Sequence, residues 1–328
     1  NNCTLRVSSL LPNKKGDIGV CVEANAANDR INTDLAWKFD RPNAYHGSLS
    51  LTGTFGDKGP DGRPVIVRVN PSQFAVNDTI WRVAPALMRW SGQELSIDSV
   101  CVMRSGQLAL IDGLVSKDAD KELLVTLQNI DLDYVFETLN INYVTFGGRA
   151  SGLLRGAGLL GPHPLLYTDA LRVAGLTYNH SLLGDALIKS HFDKDRKAVH
   201  IDADVSEKYH RAARIYGDIF VGADSLSLEI DADKVNVGFL QPFMAAFSSD
   251  VQGRASGYVK LYGTFKDIDL RGRVFADTLR MKIDVTNTYY SARDSVIIDP
   301  GSIDLHNITL RDRQGHTALL NGSLRHRY

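Results

Sequence analysis

Residues 225–232 read SLSLEIDA, and their strict alternation is the strongest signal of secondary structure in the chain. Leu226, Leu228 and Ile230 fall on one side of an extended strand, and polar residues such as Ser227 fall on the other. A period of two places successive side chains on opposite faces, so the segment predicts a half-buried β-strand. Strands of this kind belong to antiparallel sheets that have one face in water.

The same alternation recurs along the chain. It is clear in LRMKIDV at 279–285 and in VHIDADV at 199–205, and similar strands follow one another about every ten residues from Leu35 onward. Turn-forming sequences separate them, among them RSGQ at 104–107, FDKDRK at 192–197 and DPGS at 299–302. We therefore predict an all-β protein.

Helical periodicity is confined to two short stretches, LDYVFETL at 132–139 and VGFLQPFMAAF at 237–247. Pro242 predicts that the second helix is short or broken, unless the proline lies in its first turn. We expect a few short helices within the all-β fold.

Glycine spacing predicts a repeat of about 105 residues. Gly47, Gly152 and Gly257 are 105 positions apart (152 − 47 = 105 and 257 − 152 = 105), and in each case another glycine follows six residues later. The pentapeptide GRASG also recurs at this offset, at 148–152 and 253–257, where we interpret it as a tight turn from a helix into a strand. The pattern predicts one β region with approximate repeat units 1–122, 123–227 and 228–328.

Composition excludes several classes of function. A formal net charge of −1 and the lack of a basic stripe make nucleic acid an unexpected partner. The sequence has no apolar run of about 18 residues that could span a bilayer, and it does not begin like a signal peptide. Because it starts and stops abruptly, we expect it to be a segment of a longer chain.

No recognisable catalytic or metal-binding pattern is present. The nine histidines are scattered, and Cys3, Cys21 and Cys101 form neither a metal cluster nor a disulfide framework. Asp202 and Asp204 are two positions apart on an alternating strand, which places both on its solvated face. We predict no catalytic residue, no metal, no cofactor and no enzymatic activity. An enzyme would need two inward-facing acids in one cleft.

A long sheet with one apolar face must close into a barrel, pack on a second sheet or curl around an apolar ligand. We predict the last arrangement, an elongated curled antiparallel β-sheet that forms a β-taco-like groove. A closed sandwich core is the alternative, since alternation alone does not distinguish the two. The predicted groove-lining residues are Val199, Ile201, Leu226, Leu228, Ile230, Val259, Leu261, Leu279, Met281, Ile283 and Val285.

The stretch VQGRASGYVKLYGTF at 251–265, the segment DIDLRGRVFADTLRMKIDV that follows it, and the strand GHTALLNGSL at 315–324 together resemble a known family. They look like the TamB family of translocation and assembly modules, in the form found in Bacteroidetes. The segments at 106–116 and 123–139 fit the same family. These motifs are patterns of glycine, alternation and turns, and their order and density carry the resemblance over nearly the whole chain.

The resemblance implies a periplasmic location and a function at the bacterial envelope. TamB-like proteins are similar to AsmA-type bridge proteins, which have an inner-membrane anchor, a long β-sheet groove and a domain that meets an outer-membrane Omp85-class barrel such as TamA. The family is linked to outer-membrane protein assembly and to phospholipid transport. The chain resembles the central segment, so phospholipid or another acyl lipid is its expected ligand, and the anchor and the barrel-binding part are expected elsewhere in the full-length protein.

One further hypothesis follows from the sheet alone. A sheet with a closed core could still act as a scaffold that pairs its exposed edges with unfolded outer-membrane client strands. Such a scaffold would depend on backbone groups at an edge and would tolerate changes on the apolar face.

Overall fold

The structure is a computed structural model that describes residues 3–11, 18–39, 45–58, 62–76, 79–138 and 145–325. These residues form 23 β-strands, two short α-helices and two short 3₁₀ turns, and the strands belong to one antiparallel sheet. The predicted all-β antiparallel class is confirmed. Two compact units are present, one made of Asn1–Ile130 and Ser151–Leu166, the other of Asp131–Ala150 and Tyr167–Tyr328. Their boundaries differ from those of the three predicted repeat units.

In the first unit the strands pair mainly with their neighbours along the chain. The exceptions lie in the middle, where β4 pairs with both β5 and β6, β5 pairs with β8, and β9 pairs with both β7 and β8. The strands are β1 (Cys3–Leu11), β2 (Ile18–Ala27), β3 (Arg30–Phe39), β4 (Tyr45–Phe55), β5 (Val65–Val69), β6 (Ser72–Val76), β7 (Thr79–Val83), β8 (Ala86–Trp90), β9 (Leu95–Arg104), β10 (Gln107–Val115) and β11 (Glu122–Asp131).

Prolines explain why two extended segments of this unit are each interrupted and form two short strands. Pro71 separates β5 from β6, and Pro85 separates β7 from β8. Proline has no N–H to donate to a sheet ladder, so the ladder is interrupted at these residues. The residue before each proline keeps its bond, since Asn70 donates its N–H to Ser50 O and Ala84 donates its N–H to Cys101 O, both at 2.9 Å.

In the second unit a meander runs through long strands. From β13 to β19 each strand pairs with the next, β19 pairs with both β20 and β21, and both of these pair with β22. The strands that lie wholly or partly in this unit are β12 (Phe146–Ala157), β13 (Leu165–Tyr178), β14 (Ser181–Asp193), β15 (Ala198–Glu207), β16 (His210–Phe220), β17 (Ser225–Asn236), β18 (Ser248–Thr264), β19 (Asp267–Ile283), β20 (Thr288–Ala292), β21 (Ser295–Asp299), β22 (Ser302–Arg311) and β23 (Thr317–Arg325).

Both predicted helices are confirmed. Helix α1 (Leu132–Thr138) occupies the first predicted stretch, whose last residue, Leu139, lies outside the described residues. Helix α2 (Gln241–Met244) follows a 3₁₀ turn at Gly238–Leu240 and carries Pro242 in its first turn, where the missing N–H costs nothing.

The GRASG segments are not turns, so that interpretation was wrong. Residues 148–152 lie inside β12 and residues 253–257 lie inside β18. The glycines are required by close packing within the sheet. A Cβ on Gly253 would lie 1.8 Å from the carbonyl oxygen of Thr278 on β19, and its φ of +142° disfavours other residues.

Matching elements recur at the offset that the predicted repeat requires. Strands β11 and β17 end at Asp131 and Asn236 (236 − 131 = 105), and β13 and β19 end at Tyr178 and Ile283 (283 − 178 = 105). A short helix follows β11 and another follows β17, and β12 and β18 come next in the two cases.

Many of the buried side chains in the described residues are small. Nearly half of the buried apolar residues are alanine, and the largest side chain that is fully buried is that of Ser248. A closed sandwich buries many large aliphatic side chains between its sheets, about 10 Å apart. The described residues bury only a few large aliphatic side chains, among them Leu165, Ile308 and Leu310.

Candidate functional site

The strand register of the second unit assembles a continuous apolar surface. Residues directly opposite one another in an antiparallel pair share a face, so each series of opposed residues forms a row across the sheet. Four rows cross β15, β16, β17, β18 and β19, and we call them the apolar rows. They are Val199–Ile219–Leu226–Gly263–Ile268, Ile201–Gly217–Leu228–Leu261–Leu270, Ala203–Ile215–Ile230–Val259–Gly272 and Val205–Ala213–Ala232–Gly257–Val274.

The other face of the same strands is polar and internally paired. Asp202 accepts two hydrogen bonds from Arg214, each at 3.0 Å, and these bonds hold the pKa of the Asp202 carboxyl below its usual range. Lys260 lies 3.9 Å from Glu229 on the neighbouring strand. Hydrogen bonding to Glu229 is the main cause that raises the pKa of Tyr216, and desolvation is the main cause for Tyr258.

Most of the side chains in the apolar rows are only half-buried. Leu228, Leu261 and Ile230 are neither fully covered nor fully exposed, whereas Val205 and Ala213 at one end are buried, as are Val199 and Ala203 along β15. Val205 and Ala213 belong to a cluster that also contains Val173 and Ala186. The rows are therefore covered at this end and along β15, and they are accessible on the middle strands.

The sheet of the second unit curls at this covered end. Three strand steps separate β14 from β17, which is about 14 Å in a flat sheet. Nevertheless, Asn236 on β17 donates a hydrogen bond from Nδ2 to the carbonyl oxygen of Leu182 on β14 at 3.2 Å. Glu207 on β15 and Arg254 on β18 are also three steps apart and form two hydrogen bonds, of 2.6 and 2.8 Å. Only strong curvature brings these strand ends together.

The structure divides the predicted groove-lining residues into three groups. Seven belong to the apolar rows: Val199, Ile201, Leu226, Leu228, Ile230, Val259 and Leu261. Three lie farther along β19, beyond a register shift, where Leu279, Met281 and Ile283 face Gly253, Val251 and Ser248 of β18. Met281 is buried with 5% exposure, so it belongs to a packed part of the sheet.

Val285 is the exception, and its assignment to the strand face was wrong. Strand β19 ends at Ile283, and residues 284–287 form a turn in which the Asn287 N–H donates to Asp284 O at 3.1 Å. Asn287, the last residue of this turn, has φ of +50°, a value that asparagine tolerates. Val285 is therefore 92% exposed in a hairpin turn.

Sequence reasoning missed apolar rows in the first unit. Val7, Val22, Leu35 and Leu49 face one another across β1 to β4. Val67, Met88, Ile97 and Gly113 do the same across β5, β8, β9 and β10. Alternation in these strands is the signal that could have identified them.

The described residues contain no cluster of three or more histidine, cysteine or acidic side chains placed to hold a metal ion. Asp202 and Asp204, which were expected on the solvated face, pair there with Arg214 and Arg211. Neither α-helix in the described part of the chain is long and apolar enough to cross a membrane.

Comparisons of the chain with protein-family models, with curated proteins and with solved structures found no match. The resemblance to the TamB family rests on the sequence patterns and stays a prediction.

Proposed function

We propose that the apolar rows of β15 to β19 hold the acyl chains of phospholipid, and that the protein is a periplasmic segment of a TamB-like, AsmA-like envelope protein that passes lipids toward the outer membrane. One observation carries the proposal. All twenty positions of the four rows are valine, isoleucine, leucine, alanine or glycine, and the side chains in the middle of the rows remain half-exposed.

The dimensions of this surface suit one acyl chain or two. Five strands span about 19 Å across the sheet at the usual strand spacing. The hydrocarbon core of a bilayer is about 30 Å thick, so each leaflet contributes chains of about 15 Å. A chain of about 16 carbons loses roughly 12 kcal/mol on entering water, and transfer from a bilayer to an apolar surface avoids that cost. The surface therefore favours passage of lipid between similar environments.

Assembly of outer-membrane proteins and contact with an Omp85-class barrel belong to the same proposal only through the family resemblance. No residue in the described part of the chain is assigned to either role.

The test is native mass spectrometry of the purified protein, followed by organic extraction and identification of acyl lipids. A double variant, Leu228→Gln with Leu261→Gln, places polar groups on a facing pair in the middle of the rows. The matched control, Ser227→Gln with Tyr262→Gln, changes the adjacent facing pair on the other side of the sheet. We expect the first variant to remain folded and to lose lipid roughly tenfold, and the control to retain it.

Two results would overturn the proposal. Unfolding of the Leu228 and Leu261 variant, with a stable control, would indicate a closed core. A folded wild-type protein that carries no lipid, even after incubation with phospholipid vesicles, would leave the edge-pairing scaffold as the better hypothesis.

A further inference from the structure

A group of basic residues lies at the covered end of the apolar rows. The last row is Val205–Ala213–Ala232–Gly257. Two or three residues farther along the same four strands come Glu207, His210, Lys234 and Arg254. Together with Lys208 and Tyr209 they line a cavity of about 380 Å³.

Glu207 and Arg254 neutralise each other in this cavity. Arg254 donates from both terminal nitrogens to the Glu207 carboxylate, at 2.6 and 2.8 Å, and this bond holds the pKa of Glu207 below its usual range. Arg254 also donates to the carbonyl oxygen of Lys234 at 2.8 Å. The pair forms a fixed wall of the cavity and contributes little net charge.

The remaining charges are positive. The side chains of Lys208 and Lys234 are exposed, and no ion pair involves their ammonium groups within the described ranges. His210 places Nδ1 3.2 Å from Glu207 O and Nε2 3.3 Å from Asp233 O, so both ring nitrogens face backbone carbonyl oxygens. The two lysines therefore give the cavity a net positive charge in a chain whose net charge is −1.

The backbone presents both lysines in a conformation that is unusual for lysine. Lys208 has φ of +55° and Lys234 has φ of +54°, values normally occupied by glycine, asparagine or aspartate. The N–H of Lys234 is fixed by a 3.0 Å hydrogen bond to Ser256 Oγ. At the position 105 residues earlier, Asn129 has φ of +53° and makes the same kind of bond to Ser151, so the fold does not itself require lysine there.

We propose that Lys208 and Lys234, which together with His210 and Arg254 form the basic cluster, bind the phosphate group of a lipid whose acyl chain lies on the apolar rows. The inference rests on the proposed function and adds the headgroup class. An amphipathic anionic lipid matches the arrangement because its charged end and its apolar chain meet where the basic cluster adjoins the last row. Lysine ammonium groups are common ligands of phosphate.

The test compares two ligands with the same acyl chain. Binding of monooleoyl lysophosphatidic acid and of monooleoylglycerol is measured by equilibrium dialysis below their micelle-forming concentrations. We expect the phosphate-bearing lipid to bind the wild-type protein about tenfold more tightly, and this preference to fall as salt is raised.

The variant for this test is Lys208→Asn with Lys234→Asn, since asparagine accepts positive φ and removes the charge. The matched control is Lys197→Asn, because Lys197 is an exposed lysine with φ of +51° in the turn at the opposite end of β15. We expect the double variant to lose the preference for the phosphate-bearing lipid while binding monooleoylglycerol as before. The control should behave like the wild type.

The failures of the two proposals are distinguishable. Equal binding of both lipids, unchanged in the double variant, would overturn the headgroup site and leave the acyl-binding surface in place. Binding of neither lipid would overturn the proposed function as well. Displacement of lysophosphatidic acid by inorganic phosphate at equal concentration would show a site for free phosphate and would overturn the lipid assignment.

Discussion

Two segments have the same backbone conformation at one position but carry different side chains there. One runs from β11 through α1 to β12, and the other runs from β17 through α2 to β18. In the first, Asn129 donates its N–H to Ser151 Oγ at 2.8 Å, and in the second, Lys234 donates its N–H to Ser256 Oγ at 3.0 Å. Both donors have left-handed φ, of +53° and +54°. A residue in that conformation directs its N–H away from the ladder, and the serine supplies the acceptor.

The side chains of Asn129 and Lys234 differ because the shared backbone conformation does not constrain them. Asn129 turns its side chain back to the protein and donates to Gly106 O at 3.1 Å, whereas Lys234 is exposed and belongs to the basic cluster. The arginine of GRASG differs in a similar way. Arg149 contacts Asp131 through one nitrogen at 3.2 Å, and Arg254 makes a two-point contact with Glu207. The second segment therefore has the same backbone geometry at this position, with a charged site added.

The largest loss of stability is expected when the first glycine of GRASG is replaced by alanine. An added Cβ at Gly253 would lie 1.8 Å from Thr278 O, whereas at Gly148 it would lie 2.9 Å from the oxygens of Ala174 and Gly175. Because a backbone oxygen in a sheet cannot rotate away, we expect Gly253→Ala to cost about 3 kcal/mol or more and Gly148→Ala about 1 to 2 kcal/mol. Denaturation midpoints, with hydrogen exchange in β18 and β19, measure the difference.

Gly222→Ala is the control for both variants, since a Cβ there would have nothing within 4 Å. We expect its unfolding free energy to stay within about 0.5 kcal/mol of the wild type. If Gly253→Ala were no more harmful than Gly222→Ala, close approach of the strands would not explain the glycine.

The second-largest loss of stability is expected on substitution of Arg254, and its pH dependence distinguishes Arg254 from Arg149. At neutral pH we expect Arg254→Gln to cost about 1 kcal/mol and Arg149→Gln clearly less, because only the first removes a two-point contact. The folded-state pKa of Glu207 is lowered, chiefly by its hydrogen bonds with Arg254. Its stabilisation is therefore present above the unfolded-state pKa and is lost as the pH falls through the lower folded-state value.

The difference in stability between Arg254→Gln and the wild type should accordingly begin to shrink as the pH falls below the ordinary glutamate pKa of about 4.3, and it should vanish as the pH falls through the lower folded-state pKa. Urea midpoints measured from neutral to acidic pH follow this change. A gap that stays constant down to the lowest pH would mean that Arg254 stabilises the sheet through packing alone.

Much of the fold could be predicted from the sequence because alternation is a local signal. Leu226, Leu228 and Ile230 were assigned to one face from their spacing alone, and the register confirms that they share it. The end of a strand depends on the turn that follows it, and the alternation that continues to Val285 in the sequence concealed the turn at 284–287. The basic cluster was not predictable, since Lys208 and Arg254 are brought together only by the curl of the sheet.

The smallest loss of stability is expected at the serines that bond Asn129 and Lys234, and it tests whether the two bends at these residues are equally stable. Ser151→Ala and Ser256→Ala each remove the acceptor of a left-handed residue's N–H, at exposed sites where water can partly replace it. We expect about 0.5 kcal/mol for Ser151→Ala. Ser256 also donates to Asp277 Oδ2 at 2.5 Å, so Ser256→Ala should cost more, and in an Asp277→Ala background the two serines should become equal. Double-mutant cycles on denaturation midpoints measure this, and a difference that persists in that background would mean that the two bends share their shape but not their energetics.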